Sequence, residues 1–194
     1  MNLEINDAMI PGTRLKKHDM GNVTGLEFLS KVFYISEGVM LSQIREVSGI
    51  DGSTLQNWTK RGWVANARLK KYNIDQVAHI LIINMLRSCI QLDHIAYLLQ
   101  YINGKIDDTS DDIIRDSVLY DYICRILEAL TREDVASKAT IKDVITRQIA
   151  DYEEATPGAH NRLSTALEII VTAYYAALIK KSSDEMLAHL MSSY

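Results

Sequence analysis

LSQIREVSGIDGSTLQNWTKRGWVANARLKKYNIDQVAHILIINMLRSCIQLDHIAYLL, residues 41–99, decides the fold. Leu41, Ile44 and Val47 recur at helical spacing, and so do Leu55 and Trp58. Gly49-Ile50-Asp51-Gly52 stands between the two sets as a turn, where glycine tolerates positive φ. Ser53 is predicted to cap the second helix through its hydroxyl. With Leu55 and Trp58 inward, Thr54, Gln56, Asn57 and Lys60 are left to be presented. Lys60, Arg61, Arg68, Lys70 and Lys71 follow, with no acidic residue between Asp51 and Asp75. A short helix, a turn, a polar helix and a basic connector together point to a nucleic-acid docking face.

Asn73 then caps a third helix with a broad stripe from Ile74 to Leu86, and Asp93 opens a fourth that Asn103-Gly104 stops. Upstream, residues 1–21 are expected to form an arm or loop packed on the body. Thr24 with Glu27 has the spacing of a capping box for a helix through Leu29 and Val32. The polar segment from Lys105 to Asp112 is taken as a linker, its aspartates solvated at the start of the next helix. Two amphipathic helices follow, marked by Ile114 to Leu130 and by Ile141 to Tyr152. After Pro157-Gly158, Leu163 to Ile179 is apolar nearly all round, as expected of a surrounded bundle member, and a last short helix from Asp184 to Met191 covers it or meets a second subunit. The expected fold class is all-α, divided into an N-terminal arm and helix (1–39), a helix-turn-helix domain (40–104) and a helical C-terminal half (105–194) that dimerises or senses.

The composition is that of an ordinary globular protein, with 47% hydrophobic and 24% charged residues. A net charge of -4 argues against indiscriminate coating of nucleic acid, yet leaves room for a local basic face. Cys89 and Cys124 lie in apolar helical patterns and are expected to be buried free thiols. The N-terminus lacks a signal-peptide pattern, and the run from Ala166 to Ile179 is too short to span a bilayer, so a cytoplasmic, membrane-free location is expected. The five histidines are scattered without zinc-ligand spacing, and no phosphate loop, dinucleotide fingerprint, HExxH or GxSxG is present. Neither an enzyme nor a metal or cofactor site is expected. Trp58 and Trp63 are read as core rather than as base-stacking residues. Tyr72 is open between an anchor and a phosphate contact. Tyr97, Tyr101, Tyr120, Tyr122, Tyr174 and Tyr175 could line a pocket for a small-molecule effector, or simply fill the bundle.

Ser48-Gly49, Ser53-Thr54-Leu55, Trp58, Arg61-Gly62-Trp63, Lys71-Tyr72-Asn73 and the Leu92–Leu99 helix resemble the DNA-binding domain of MerR transcription regulators. Nearer still, Phe33-Tyr34-Ile35-Ser36, Gln56 to Gly62, Ile80 to Leu86 and Asp108 to Ile113 resemble the bacterial family DUF1836, over roughly residues 25 to 120. The MerR resemblance implies a second helix in the major groove, a wing on the flanking backbone and a homodimer on double-stranded DNA. Carried over, Ser53, Thr54, Gln56 and Asn57 lie on the reading turn. Lys60 and Arg61 lie near phosphate, and Arg68, Lys70, Lys71 and Tyr72 form the wing. The chain departs from that pattern in three ways: Gln56 replaces the usual arginine, the wing lacks its proline and second arginine, and the long heptad coiled coil is missing. The expectation is sequence-specific transcription regulation by a homodimer; the rival is a helical interaction or sensing module whose helix-turn-helix no longer binds DNA.

Overall fold

The computed structural model describes residues 9–34, 38–106, 108–133 and 137–193. Among them are eight α-helices and one two-stranded sheet, so the fold is mainly α. Helix α1 is Gly25–Val32, strand β1 is Val39–Met40, and helices α2 and α3 are Leu41–Ser48 and Gly52–Lys60. Strand β2, Lys71–Tyr72, precedes α4 (Ile74–Leu86) and α5 (Leu92–Asn103). The chain ends with α6 (Asp116–Leu130), α7 (Lys138–Gln148) and α8 (Ala159–Ser192).

The surrounded helix is α4. Ile80, Leu81 and Ile82 on three consecutive faces are fully buried, because α4 packs against α2, α5, α6 and α8 together. Asn73 accepts from the amide of Gln76, as the sequence predicts, while Gln76 accepts in return from the amide of Asn73. The core is continuous across the boundary at 104/105, since α6 lies against both α1 and α4.

Helix α8 overturns two expectations. It is a single helix from Ala159 to Ser192, so no separate short helix begins at Asp184. It is also not surrounded: Leu163, Ala166, Leu167, Ile170 and Val171 are buried, and no residue beyond Val171 is. By length and composition alone α8 is long and apolar enough to cross a membrane, which corrects the estimate from the shorter apolar run.

Residues 9–21 pack as expected; residues 1–8 of the arm lie outside the described residues, and so does Asp107 of the linker. Ile10 is fully buried. The Tyr120 hydroxyl donates to the Pro11 carbonyl (2.7 Å), and Asn84 Nδ2 donates to the carbonyls of Gly12 (2.8 Å) and Ser48 (3.0 Å). Arg14 donates through its amide to Val47 and through Nε to Glu46. This segment therefore clamps the end of α2 onto α4 and α6. The predicted capping box at Thr24 does not form: Thr24 makes no side-chain cap bond, and the Leu26 amide donates instead to Asp121 of α6 (2.8 Å). A carboxylate from a distant helix does the work that a local side chain was expected to do.

Candidate nucleic-acid interface

Helix α2 ends at Gly49, whose φ of 71° lets its amide turn back to the Arg45 carbonyl. Ser53 is not the cap of α3. Asp51 is, accepting from both the amide and the hydroxyl of Ser53, and these bonds hold the Asp51 carboxyl below its ordinary range. The reason is positional: Asp51 precedes Gly52, where the helix starts two residues earlier than a Ser53 cap would place it. Leu55 and Trp58 are buried as predicted, which rolls Gln56, Asn57 and Lys60 outward; Ser53 is exposed and Thr54 half-buried. Gly62 ends α3, its neighbour Trp63 donating back to the Trp58 carbonyl. Half-buried Trp63 carries the Arg61 guanidinium 5.0 Å from its ring centre.

The basic connector becomes a hairpin. Arg68 and Lys71 exchange both amide bonds at 2.9 Å around Leu69 and Lys70, whose φ values are 49° and 63°. Two successive positive φ angles define the turn that matches strand twist, ordinarily a place for Asn-Gly. Here non-glycine side chains occupy it, and Leu69 stands 97% exposed at the tip. Strand β2 pairs with β1 in antiparallel register, Val39 opposite Tyr72 and Met40 opposite Lys71, which ties the hairpin to the start of α2. Arg68, Lys70 and Lys71 are exposed. Tyr72 is buried, its phenol pushed up by burial, so it is the anchor of the hairpin and not a phosphate contact. Among the described residues, none of Lys60, Arg61, Arg68, Lys70 and Lys71 makes an ion pair. Sequence reasoning missed Leu69; an apolar residue flanked by three cations was the available signal.

Behind the connector lies a cleft of about 1500 Å³ bounded by residues 61–68, α5 and the start of α6. Its walls carry charge of both signs: Arg61, Arg68, Lys105 and Arg115 share them with Asp75, Asp93, Asp108, Asp112 and Asp116. His79 spans its floor, with Nδ1 2.9 Å from Asp116 and Nε2 3.0 Å from the Trp63 carbonyl. Burial alone would lower the His79 pKa, but Asp116 and the Trp63 carbonyl outweigh it and hold the ring above its ordinary value. A carbonyl and a carboxylate can only accept, so an imidazolium donating from both nitrogens suits this position. Asn103 accepts from the Ile114 amide and donates to the Ile114 carbonyl, and Asp75 accepts from the Ser117 amide. The connector after α3 is thus bonded to the start of α6.

Asp112 is pushed up to about 6 by burial and by the aspartates around it. A carboxyl raised above its unfolded value stabilises the fold below the unfolded pKa and loses that contribution as pH rises through the folded one. The Asp112→Asn chain is therefore expected to gain about 1 kcal/mol at pH 7, after discounting for solvent screening, and nothing near pH 4. Thermal unfolding at the two pH values checks this; an equal shift at both would contradict the electrostatic origin.

The six tyrosines are not gathered around this cleft. Tyr97 alone of the six lines the cleft, Tyr120 and Tyr122 are buried, and Tyr122 donates to Asp151. Cys124 is buried as expected, but Cys89 is exposed, because it follows the end of α4. No group of three or more metal-ligating side chains occurs among the described residues.

Fold and surface define a mainly helical protein with a polar helix and a basic hairpin displayed beside a cleft of mixed charge. The chain belongs to the family described as Domain of unknown function (DUF1836), which it matches over residues 24–123. It is also 30% identical over 122 residues to the uncharacterized protein YkrK of Bacillus subtilis strain 168, an alignment covering 61% of this chain and 51% of that protein. The chain thus spans about half the length of the curated relative it matches. No solved structure matches.

Proposed function

We propose that this protein is a MerR-like winged helix-turn-helix regulator that binds double-stranded DNA in a sequence-specific manner as a homodimer. Helix α3 enters the major groove, where Gln56 and Asn57 read bases from its exposed face and Ser53 and Thr54 orient its first turn. Gln and Asn can each make a two-point contact to adenine, worth about 1–3 kcal/mol of discrimination. Lys60, Arg61, Arg68, Lys70 and Lys71 hold phosphate, with the hairpin tip on the flanking backbone. The observation that carries this reading is the set of five exposed cations without ion pairs among the described residues, on the end of α3 and a hairpin whose turn is held by non-glycine residues. Regulation of transcription in the cytoplasm, without catalysis, is the role this reading entails.

The cleft supports a second reading, a helical sensing module, because polar groups of both charge signs converge on it and its walls are bonded to the connector. Selection of sheared genomic DNA from the source organism on the purified chain separates the two. Enriched fragments that share an inverted repeat are expected, and an Arg61→Glu/Lys70→Glu chain should not retain them. Equal recovery by both chains at low salt would overturn the DNA reading and leave the sensing module.

A further inference from the structure

His79 is buried on α4 with an acceptor at each ring nitrogen. Nδ1 faces Asp116 at the start of α6, and Nε2 faces the Trp63 carbonyl in the connector. Asn103 of α5 donates to the other oxygen of Asp116 at 3.4 Å. The Trp63 residue is held at both ends, since its amide donates to the Trp58 carbonyl of α3. Its indole in turn carries the Arg61 guanidinium. One ring therefore links the core helix to the stretch that displays the cations.

We infer that the His79 imidazolium is a proton-operated latch, which holds the Trp63 carbonyl while charged and releases it when the ring becomes neutral. A neutral imidazole has one N–H. Between a carboxylate and a carbonyl it keeps that proton toward the carboxylate, the stronger acceptor. Nε2 then turns a lone pair on the Trp63 carbonyl across 3.0 Å, and the contact repels. The peptide between Trp63 and Val64 is the part that yields, because Gln76, which does not titrate, still holds the Asn66 carbonyl at 3.0 Å. The inference concerns the connector itself and stands whether or not that connector meets DNA.

Charges of both signs stand around the cleft that His79 floors. They are Asp75 on α4 itself, Asp93 of α5 with Lys105 after it, Asp108, Asp112, Arg115 and Asp116 about the start of α6, and Arg61 and Arg68 on the connector. Burial disfavours the charged ring, and Asp116, the Trp63 carbonyl and Asp112 outweigh it. The folded pKa is thus raised above the ordinary 6.5, so the latch is closed below that pH and opens as pH rises through the folded value. The Asp112 carboxyl, pushed up to about 6, titrates with the same sign and has to be separated from it.

Nuclear magnetic resonance of the full chain, with isotope-labelled histidine and backbone amides, tests this from about pH 5 to pH 9. The His79 ring is expected to titrate with a midpoint above the ordinary histidine value. The Val64 amide, which shares a peptide group with the Trp63 carbonyl, should follow with the same midpoint. The Ala67 amide, next to the Asn66 carbonyl, should move far less. Asp116→Asn should lower the His79 midpoint by about one pH unit or more. Asp112→Asn should leave the Val64 inflection in place, and His79→Gln should abolish it. Where His79→Gln fails to fold, Asp116→Asn decides alone. A ring that stays neutral throughout, a midpoint unmoved by Asp116→Asn, or a Val64 amide that ignores the ring would overturn the latch. Loss of the Val64 inflection in Asp112→Asn would assign it to that carboxyl and overturn the latch as well.

Discussion

The Gly12→Ala chain is expected to be less stable by about 3 kcal/mol, a fall of roughly 6–12 °C in melting temperature for a chain of this size. Two effects add. Gly12 has a φ of 74°, where an alanine pays about 1–2 kcal/mol. Its added Cβ would also overlap the carbonyl oxygen of Leu81 and come within 2.9 Å of the carbonyl carbon, both backbone atoms in the middle of buried α4. Neither can move aside, so the 9–21 segment must lift, straining the Asn84 and Tyr120 bonds to Gly12 and Pro11. Gly62→Ala is the internal control: its φ is 72°, but nothing lies within 4 Å of the new methyl. It should lose only the conformational part, about 1–2 kcal/mol. Differential scanning calorimetry of both chains decides the matter, and equal losses would mean that close approach to α4 contributes nothing.

Charge reversal at Arg61 and Lys70 should weaken binding of a selected DNA fragment at least about 100-fold near 0.1 M salt. Each phosphate contact at that salt accounts for roughly an eightfold change in affinity, and reversal adds repulsion to the loss of two. The slope of log affinity against log salt should become shallower by about 2 per protomer. Lys138→Glu/Lys142→Glu, at exposed positions of α7, changes net charge identically, away from the proposed face, and should leave both quantities nearly unchanged. Fluorescence anisotropy across a salt series measures them. If the α7 chain weakens as much as the interface chain, binding follows net charge and not a docked hairpin.

Local signals were legible where the deciding interaction is itself local. The Asn73 cap, the Gly49 and Gly104 stops, the burial of Leu55 and Trp58 and the outward roll of Gln56 and Asn57 all follow from spacings of a few residues. Where a competing partner arrives from far along the chain, the reading failed. Thr24 has the pattern of a capping box, yet Asp121, nearly a hundred residues later, satisfies the helix start. His79 looks like a scattered histidine and becomes a link between Trp63 and Asp116. Tyr72 could have faced either way, and the pairing of its strand with Val39 turned it inward.

The exchange of roles between α4 and α8 draws the same line. Both helices read as apolar, and composition alone predicts burial without saying by how many neighbours. By itself the sequence determined a mainly helical chain, the two short helices around Gly49-Ile50-Asp51, and five cations after Trp58 with no acidic residue among them. Only the tertiary structure decided that α4 is enclosed by four other helices, that α8 runs on past Val171 without buried residues, and that the cations fold into a hairpin beside a cleft of mixed charge. The physical reason is that helical periodicity records which face is apolar, whereas the number of partners available to cover it is a property of the whole packed chain.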